Sequence, residues 1–257
     1  MQKILICNCK SLTEKKEYER AYRQTSAFRQ KKADACKQEM DKARCICAGL
    51  LLREAFFSYA QSCREDLLIK DGAVTAKTEE SAETAGPGKL ALEYTISQLM
   101  EVCEKKMTGG FDLPEEMAEK SGRTCFQGEG KARGDEPFAV PYLTISHSGD
   151  YAAAVVSDSP IGLDIQKKRH FSDSMIRKFL SGQEFETYQQ LLGEGSERAE
   201  GYLLQLWCDK EAAAKLDGRG IFAMLPELTK DDWREKSGIL TTEIAMPGEY
   251  AGAVACR

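Results

Sequence analysis

The sequence has no apolar run near the roughly 18 residues that a membrane-spanning helix requires, so we expect no membrane segment. The first nine residues are briefly apolar but lack the longer core and cleavage site of a signal peptide, which favours a first strand and a cytoplasmic protein. An excess of positive charge is also missing, since 36 Lys and Arg face 41 Asp and Glu for a net charge of −5. This balance argues against nucleic acid as a partner and leaves room for a local basic pocket.

Histidine is scarce and the C-x-x-C spacing is absent, which argues against a zinc site. The chain has 2 histidines and 10 cysteines, and two cysteine pairs show the C-x-C spacing. We expect reduced, mostly buried thiols; disulfides are the less favoured alternative because no export signal is visible. The 257 residues, 42% hydrophobic and 30% charged, suffice for one large domain or two smaller ones.

The hydrophobic pattern predicts alternating helical and extended segments. A faint internal repeat with an offset of 157 residues places Cys7 on Asp164 and Glu54 on Glu211, which predicts two lobes with a cleft between them. We expect strands at 1–9, 142–146, 151–156, 161–166 and 249–256, helices at 13–42, 44–63, 90–107, 173–180, 183–192 and 199–216, and irregular structure at 71–89 and 108–138.

The strand at 161–166 alternates apolar and polar residues, so Asp164 and Gln166 share one face. Their oxygens are hard ligands that suit Mg²⁺ better than Zn²⁺. Two such groups make an incomplete site, and Glu211 is the natural third ligand. The alternative is the solvent-facing edge of an ordinary strand.

Apolar residues at helical spacing around Trp207 predict a helix with one buried side. Lys210 lies within this apolar stripe, where its charge needs a partner or a bound anion. Glu211 and Lys215 lie at its edge. The alternative is that these two form a surface pair four residues apart, worth about 0.2–0.5 kcal/mol.

A Ser-His-Ser-Gly turn at 146–149 contains one of the two histidines. Serine hydroxyls, exposed amides and a protonated imidazole could hold phosphate oxygens there. A locally bonded hairpin histidine is one alternative. A serine nucleophile is less favoured, because neighbouring Ser and His do not imply the geometry of a triad.

Taken in order, the motifs at 146–149, 162–166 and 207–215 resemble those of the 4′-phosphopantetheinyl transferases, specifically the larger type that activates surfactin synthetase. The resemblance extends over 141–221. It implies an α/β (α+β) fold of two pseudo-symmetric lobes, each a small, mainly antiparallel sheet packed with helices, with the active site in the cleft. We expect lobes at 1–156 and 157–257, with an insertion at about 70–125.

The resemblance implies transfer of 4′-phosphopantetheine from coenzyme A to a serine of an acyl or peptidyl carrier protein, with release of adenosine 3′,5′-bisphosphate. The carrier could serve fatty-acid, polyketide or nonribosomal peptide synthesis, and we expect a monomer that uses Mg²⁺ or Mn²⁺. The metal ligands would be Asp164, Gln166 and Glu211, and the catalytic residues Asp164, Glu211 and Lys215. Coenzyme A would be bound by Arg29, Lys32, Arg44, Lys131, Ser146, His147, Lys210 and Lys215.

Gln166 departs from the family pattern, because many members have Glu at this position. A catalytically impaired coenzyme A-binding paralogue is therefore the alternative function. A protein-interaction module without any ligand is a third and weaker one.

Overall fold

The structure is a computed structural model that describes residues 2–70, 92–94, 96, 129–131, 137–139 and 141–257. Side chains are described for 2–55, 58, 59, 96 and 141–257. The strands are β1 (Gln2–Asn8), β2 (Leu92–Tyr94), β3 (Glu129–Lys131), β4 (Pro137–Ala139), β5 (Tyr142–Ser148), β6 (Tyr151–Ser157), β7 (Ile161–Lys167), β8 (Leu240–Glu243) and β9 (Tyr250–Cys256). The helices are a 3₁₀ turn (Lys10–Thr13), α1 (Lys15–Tyr22), α2 (Ala27–Asp34), α3 (Glu39–Lys70), α4 (Asp173–Phe179), α5 (Gly182–Glu194), α6 (Ser196–Asp217), α7 (Ile221–Leu228) and α8 (Trp233–Ser237).

The first lobe is built on a sheet with the strand order β2-β1-β6-β5. The β1–β6 and β5–β6 pairs are antiparallel, whereas β1 and β2 run parallel. Strand β6 buries both of its faces: Ala152 and Ala154 pack in the apolar cluster that includes α3, and Ala153 and Val155 pack on the other side. The small side chains of β6 thus let helix and sheet approach closely.

The second lobe is built on the antiparallel sheet β7-β9-β8, which packs against α6. Gly162 in β7 explains the close approach, because a Cβ atom there would overlap the carbonyl oxygen of Ala212 and lie 2.7 Å from the amide nitrogen of Leu216. Glycine within a strand permits another backbone to come near, and here the α6 backbone is the neighbour.

A third apolar cluster joins the two lobes. It contains Ile4 and Val155 from the first sheet and Leu163, Ile165 and Val254 from the second. The sheets therefore pack against each other, and β5 lies beside β7. This contact brings the Ser-His-Ser-Gly turn of one lobe to the Asp164 strand of the other.

The predicted fold class is confirmed: two small, mainly antiparallel sheets are packed with helices. Several elements differ from the prediction. The expected helix at 13–42 is divided into the 3₁₀ turn, α1 and α2, with the start of α3, since Ser26 caps a new helix by accepting a hydrogen bond from the Arg29 amide. The expected helix at 90–107 is contradicted at β2, whose three residues pair with β1.

Most of the predicted insertion at 70–125, and most of the irregular segments, lie outside the described residues. The division into lobes at residues 156 and 157 stays a prediction. Among the described residues, no helix has the length and apolar character to cross a membrane.

Candidate active site

A pocket of about 300 Å³ opens where the two lobes meet, and all three sequence motifs contribute to it. Strand β7 supplies Asp164 and Gln166, α6 supplies Glu211 and Lys215, and the end of β5 supplies His147. Residues that are far apart in the sequence thus meet in one cavity. Its other lining residues are Lys32, Ile145, Ser146, Ile165, Arg169 and Trp207.

Asp164 lies at the bottom of the pocket with 6% of its surface exposed. One carboxylate oxygen accepts hydrogen bonds from the Lys215 ammonium (2.8 Å) and the Ser146 hydroxyl (2.8 Å). The Ser146 oxygen in turn accepts from Lys215 (3.0 Å) and from the Ile165 amide (3.2 Å). Ser146 is therefore engaged in orienting Asp164 and Lys215, which does not favour the alternative of a serine nucleophile.

Glu211 faces the same cavity and has an altered proton affinity. Burial, followed by the negative charge of Asp164, raises the pKa of Glu211 to about 7, against the opposing effect of Lys215 and Arg169. Two carboxylates that share a partly buried pocket disfavour each other's charge. The site therefore favours a cation or a proton between them.

His147 lies on the side of the pocket that carries the cations. Loss of hydration, followed by the positive charges of Arg44, Lys215 and Lys32, lowers the pKa of His147 to about 4. The imidazole is therefore neutral at pH 7 in the free protein. From the sequence, we expected a protonated imidazole to help hold phosphate oxygens. A bound anion would offset those charges and raise its pKa.

The donor set is compatible with a hard divalent cation. Asp164 and Glu211 offer carboxylate oxygens, and the Gln166 amide group donates through its nitrogen to the Ser148 hydroxyl (2.8 Å) and the Lys167 carbonyl (3.2 Å). These bonds leave the amide oxygen of Gln166 as an acceptor at the pocket wall. No group of three His, Cys, Asp or Glu side chains suited to a metal occurs in the described part of the chain, so any cation here would rely on the amide or on water.

Lys210 does not line the pocket, although the resemblance implied that it binds coenzyme A. It is fully buried, donates to the Phe179 carbonyl (2.6 Å) and forms an ion pair with Glu184. The prediction that a buried lysine needs a partner was correct, but the partner is a carboxylate of α5. The geometry therefore gives no support to a role for Lys210 in binding the coenzyme.

The predicted coenzyme-binding cations fall into three groups. Lys32 lines the pocket. Arg44 does not line it, but donates to the Gly149 carbonyl (2.9 Å), pairs with Asp41 and lies close enough to His147 to lower its pKa. Arg29 is only 2% exposed and packs against Gly49 of α3, so the structure does not bring it to the cavity. The side chain of Lys131 lies outside the described residues.

Two residues of the site region were missed by sequence reasoning. Arg169 lines the pocket, with its guanidinium 4.7 Å from the Phe171 ring centre and 5.0 Å from that of Trp207. The basic run at 167–169 just after the Asp164 strand was a usable signal for it. Glu184 holds Lys210 and also caps α5 by accepting from the Ser181 amide (2.8 Å), and no local pattern links it to Lys210.

Comparison with known proteins agrees with this geometry. Residues 160–254 match the family model of the 4′-phosphopantetheinyl transferase superfamily. This segment contains β7, α6 and β9, which supply the Asp164 and Glu211 side of the pocket. This part of the chain is therefore similar to the family that the sequence motifs resemble.

Two curated relatives come from Bacillus. The chain is 39% identical over 88 residues to 4′-phosphopantetheinyl transferase psf-1 of Bacillus pumilus, covering 34% of this chain and 36% of the relative. It is 32% identical over 80 residues to 4′-phosphopantetheinyl transferase Sfp of Bacillus subtilis strain 168, covering 31% of this chain and 34% of the relative. The matched part of the chain thus spans about a third of the length of these relatives.

Proposed function

We propose, from the match of residues 160–254 to the 4′-phosphopantetheinyl transferase superfamily, that this protein transfers 4′-phosphopantetheine from coenzyme A to a serine of a carrier protein. The relatives psf-1 and Sfp bear the name of this activity. The single observation that supports the proposal best is that Asp164 and Glu211, 47 residues apart, line one pocket together with Lys215 and His147. Acidic groups that could hold a cation and basic groups that could bind phosphate therefore lie in one cavity, as a reaction at a pyrophosphate requires.

The proposed step exchanges one phosphorus–oxygen bond for another. The carrier serine oxygen bonds to the phosphorus that carries the pantetheine arm, and the bond from that phosphorus to the bridging pyrophosphate oxygen breaks. Adenosine 3′,5′-bisphosphate leaves with that bonding pair. Glu211 accepts or orients the serine proton, a role open to a carboxylate that faces the pocket.

The other pocket residues bind and orient. Lys215, held by Asp164 and Ser146, stabilises the leaving phosphate. Asp164, Glu211 and the amide oxygen of Gln166 would hold Mg²⁺ or Mn²⁺. When bound, the ion would neutralise pyrophosphate charge.

The 3′-phosphate side of coenzyme A is assigned to the cations on the N-terminal side of the pocket. Lys32 and His147 line the cavity, and Arg44 lies close enough to lower the pKa of His147. In this assignment the nucleotide lies against the first lobe and the pyrophosphate against the second. Arg169, which also lines the pocket, adds positive charge on the side of Glu211.

The proposal is tested by incubating the protein with coenzyme A, Mg²⁺ and a panel of apo-carriers from fatty-acid, polyketide and peptide synthesis, then weighing the carriers. A mass increase of one phosphopantetheine group on any of them supports transfer, and its site should be a serine. Unmodified carriers throughout the panel would contradict the proposal. We further propose a monomeric, cytoplasmic enzyme, which gel filtration and cell fractionation would check.

Metal affinity should depend on pH through Glu211. The pKa of about 7 means that the free protein holds a proton on Glu211 below that pH, and Mg²⁺ has to displace it. The affinity should therefore fall about tenfold per pH unit below pH 7 and level off above it. Calorimetric titrations with Mg²⁺ from pH 5.5 to 8.5 would show this slope, and a pH-independent affinity would argue against Glu211 as a ligand.

A second candidate function, a coenzyme A-binding protein with impaired catalysis, is favoured by Gln166. Gln166→Glu adds a carboxylate to the donor set and should lower the Mg²⁺ concentration for half-maximal transfer by roughly tenfold, since charge count tunes such sites. The matched control is Gln183→Glu, an exposed position on α5. If the natural chain binds coenzyme A without transferring, and Gln166→Glu restores transfer, the second candidate is correct.

A further inference from the structure

The turn that follows His147 is held by a residue of the opposite lobe. The hydroxyl oxygen of Tyr250, the first residue of β9, accepts a hydrogen bond from the Asp150 amide at 2.8 Å. The Tyr250 ring also packs edge-on against Tyr151, with the ring centres 5.0 Å apart. Tyr250 does not line the pocket, so its contact with the site runs through this turn.

The turn and Tyr250 fit each other closely at Gly149. This glycine has a φ of 53°, which favours glycine, and a Cβ atom there would overlap the Tyr250 hydroxyl oxygen. It would also lie 2.6 Å from Cδ of Lys167, the residue paired with Tyr250 across β7 and β9. A side chain at this position would have to displace the Tyr250 hydroxyl and the Lys167 side chain.

The same turn is bonded to the site on its other side. The Gly149 carbonyl accepts from the Arg44 guanidinium at 2.9 Å, and the Ser148 hydroxyl oxygen accepts from the Lys167 amide at 3.0 Å. Arg44 is the charge that most strongly lowers the pKa of His147. The turn therefore connects Arg44, and the end of β5 that carries His147, to the second lobe.

We propose that Tyr250 is a positioning residue for the 3′-phosphate end of coenzyme A. It holds the Gly149–Asp150 turn, and through it Arg44 and His147, at a set distance from the Asp164–Glu211 carboxylates. The inference rests on the proposed function, because one cofactor must reach both groups at once. Tyr250 itself touches neither the cofactor nor the reacting atoms.

Tyr250→Phe keeps the ring and removes the acceptor of the Asp150 amide. Loss of one such hydrogen bond should raise the KM for coenzyme A roughly tenfold, with kcat almost unchanged. With 3′-dephospho-coenzyme A, which lacks the phosphate that Arg44 and His147 would bind, the variant and the natural protein should have the same KM. The matched control is Tyr151→Phe, which changes the neighbouring ring and should alter neither KM.

An equal rise in KM with both cofactors, or a fall in kcat alone, would show a merely structural role and overturn the proposal. An unchanged KM for both would show that the hydroxyl does not position the turn. If the natural protein transfers phosphopantetheine from neither cofactor, the proposed function has failed. The role of Tyr250 is then tested separately by measuring the affinities for adenosine 3′,5′-bisphosphate and adenosine 5′-monophosphate by calorimetry. Tyr250→Phe should then weaken the binding of the bisphosphate only. Equal changes in affinity for both nucleotides, or no change for either, would overturn the proposal about Tyr250.

Discussion

Glu211→Gln should lower kcat for carrier modification by roughly a thousandfold while leaving the fold intact. The change keeps the shape of the side chain and removes its ability to accept a proton or to bring a second negative charge beside Asp164. Burial and Asp164 raise the pKa of Glu211 to about 7, so this carboxylate can take up a proton near neutral pH. Rates should be measured by the mass of the carrier over time.

The matched control is Glu186→Gln, which removes an exposed carboxylate of α5 and should leave the rate unchanged. The melting temperature of Glu211→Gln should equal or exceed that of the natural protein, because the two carboxylates disfavour each other's charge. A variant that modifies the carrier at the natural rate would remove Glu211 from the proposed mechanism.

Lys210→Met should destabilise the protein by about 3 kcal/mol, because it leaves the buried Glu184 carboxylate with only the longer ion pair to Arg234 at 3.8 Å. For a chain of this size, such a loss lowers the melting temperature by roughly 10 °C. Lys210 also donates to the Phe179 carbonyl, so the contact between α4, α5 and α6 should loosen. Chemical and thermal unfolding would measure the loss.

Two variants isolate the cause. Lys210→Met combined with Glu184→Gln removes the carboxylate charge that Lys210 balanced and should recover a large part of the stability, while the amide can still accept from the Ser181 backbone. Lys236→Met removes an exposed lysine paired with Asp232 and should cost less than about 1 kcal/mol. A Lys210→Met protein of natural stability with a raised KM for coenzyme A would instead restore the anion-binding role.

The active-site groups were predictable where local pattern and chemistry agree. Alternation in β7 correctly placed Asp164 and Gln166 on one face, and helical spacing correctly placed Lys210 in the buried stripe of α6. That Asp164 and Glu211 line one pocket also followed from the chemistry, since an incomplete set of oxygen ligands needs a third. Such inferences depend on short-range periodicity and on the need to balance charge.

The partners of these groups were not predictable, because they depend on packing between distant segments. Nothing near Lys210 shows that Glu184, 26 residues away, supplies its carboxylate. Arg29 looks like part of a solvated basic run, yet α3 covers it. Tyr250 reads only as the start of a strand, although its hydroxyl reaches across to the other lobe.

The most direct test of the account is the intact mass of an apo-carrier after incubation with coenzyme A and Mg²⁺ and either the natural protein or Asp164→Ala. The account predicts a carrier heavier by one phosphopantetheine group with the natural protein, and an unmodified carrier with the variant or when the metal is chelated. Equal modification by both proteins would contradict the claim that Asp164 and Glu211 together form the active site.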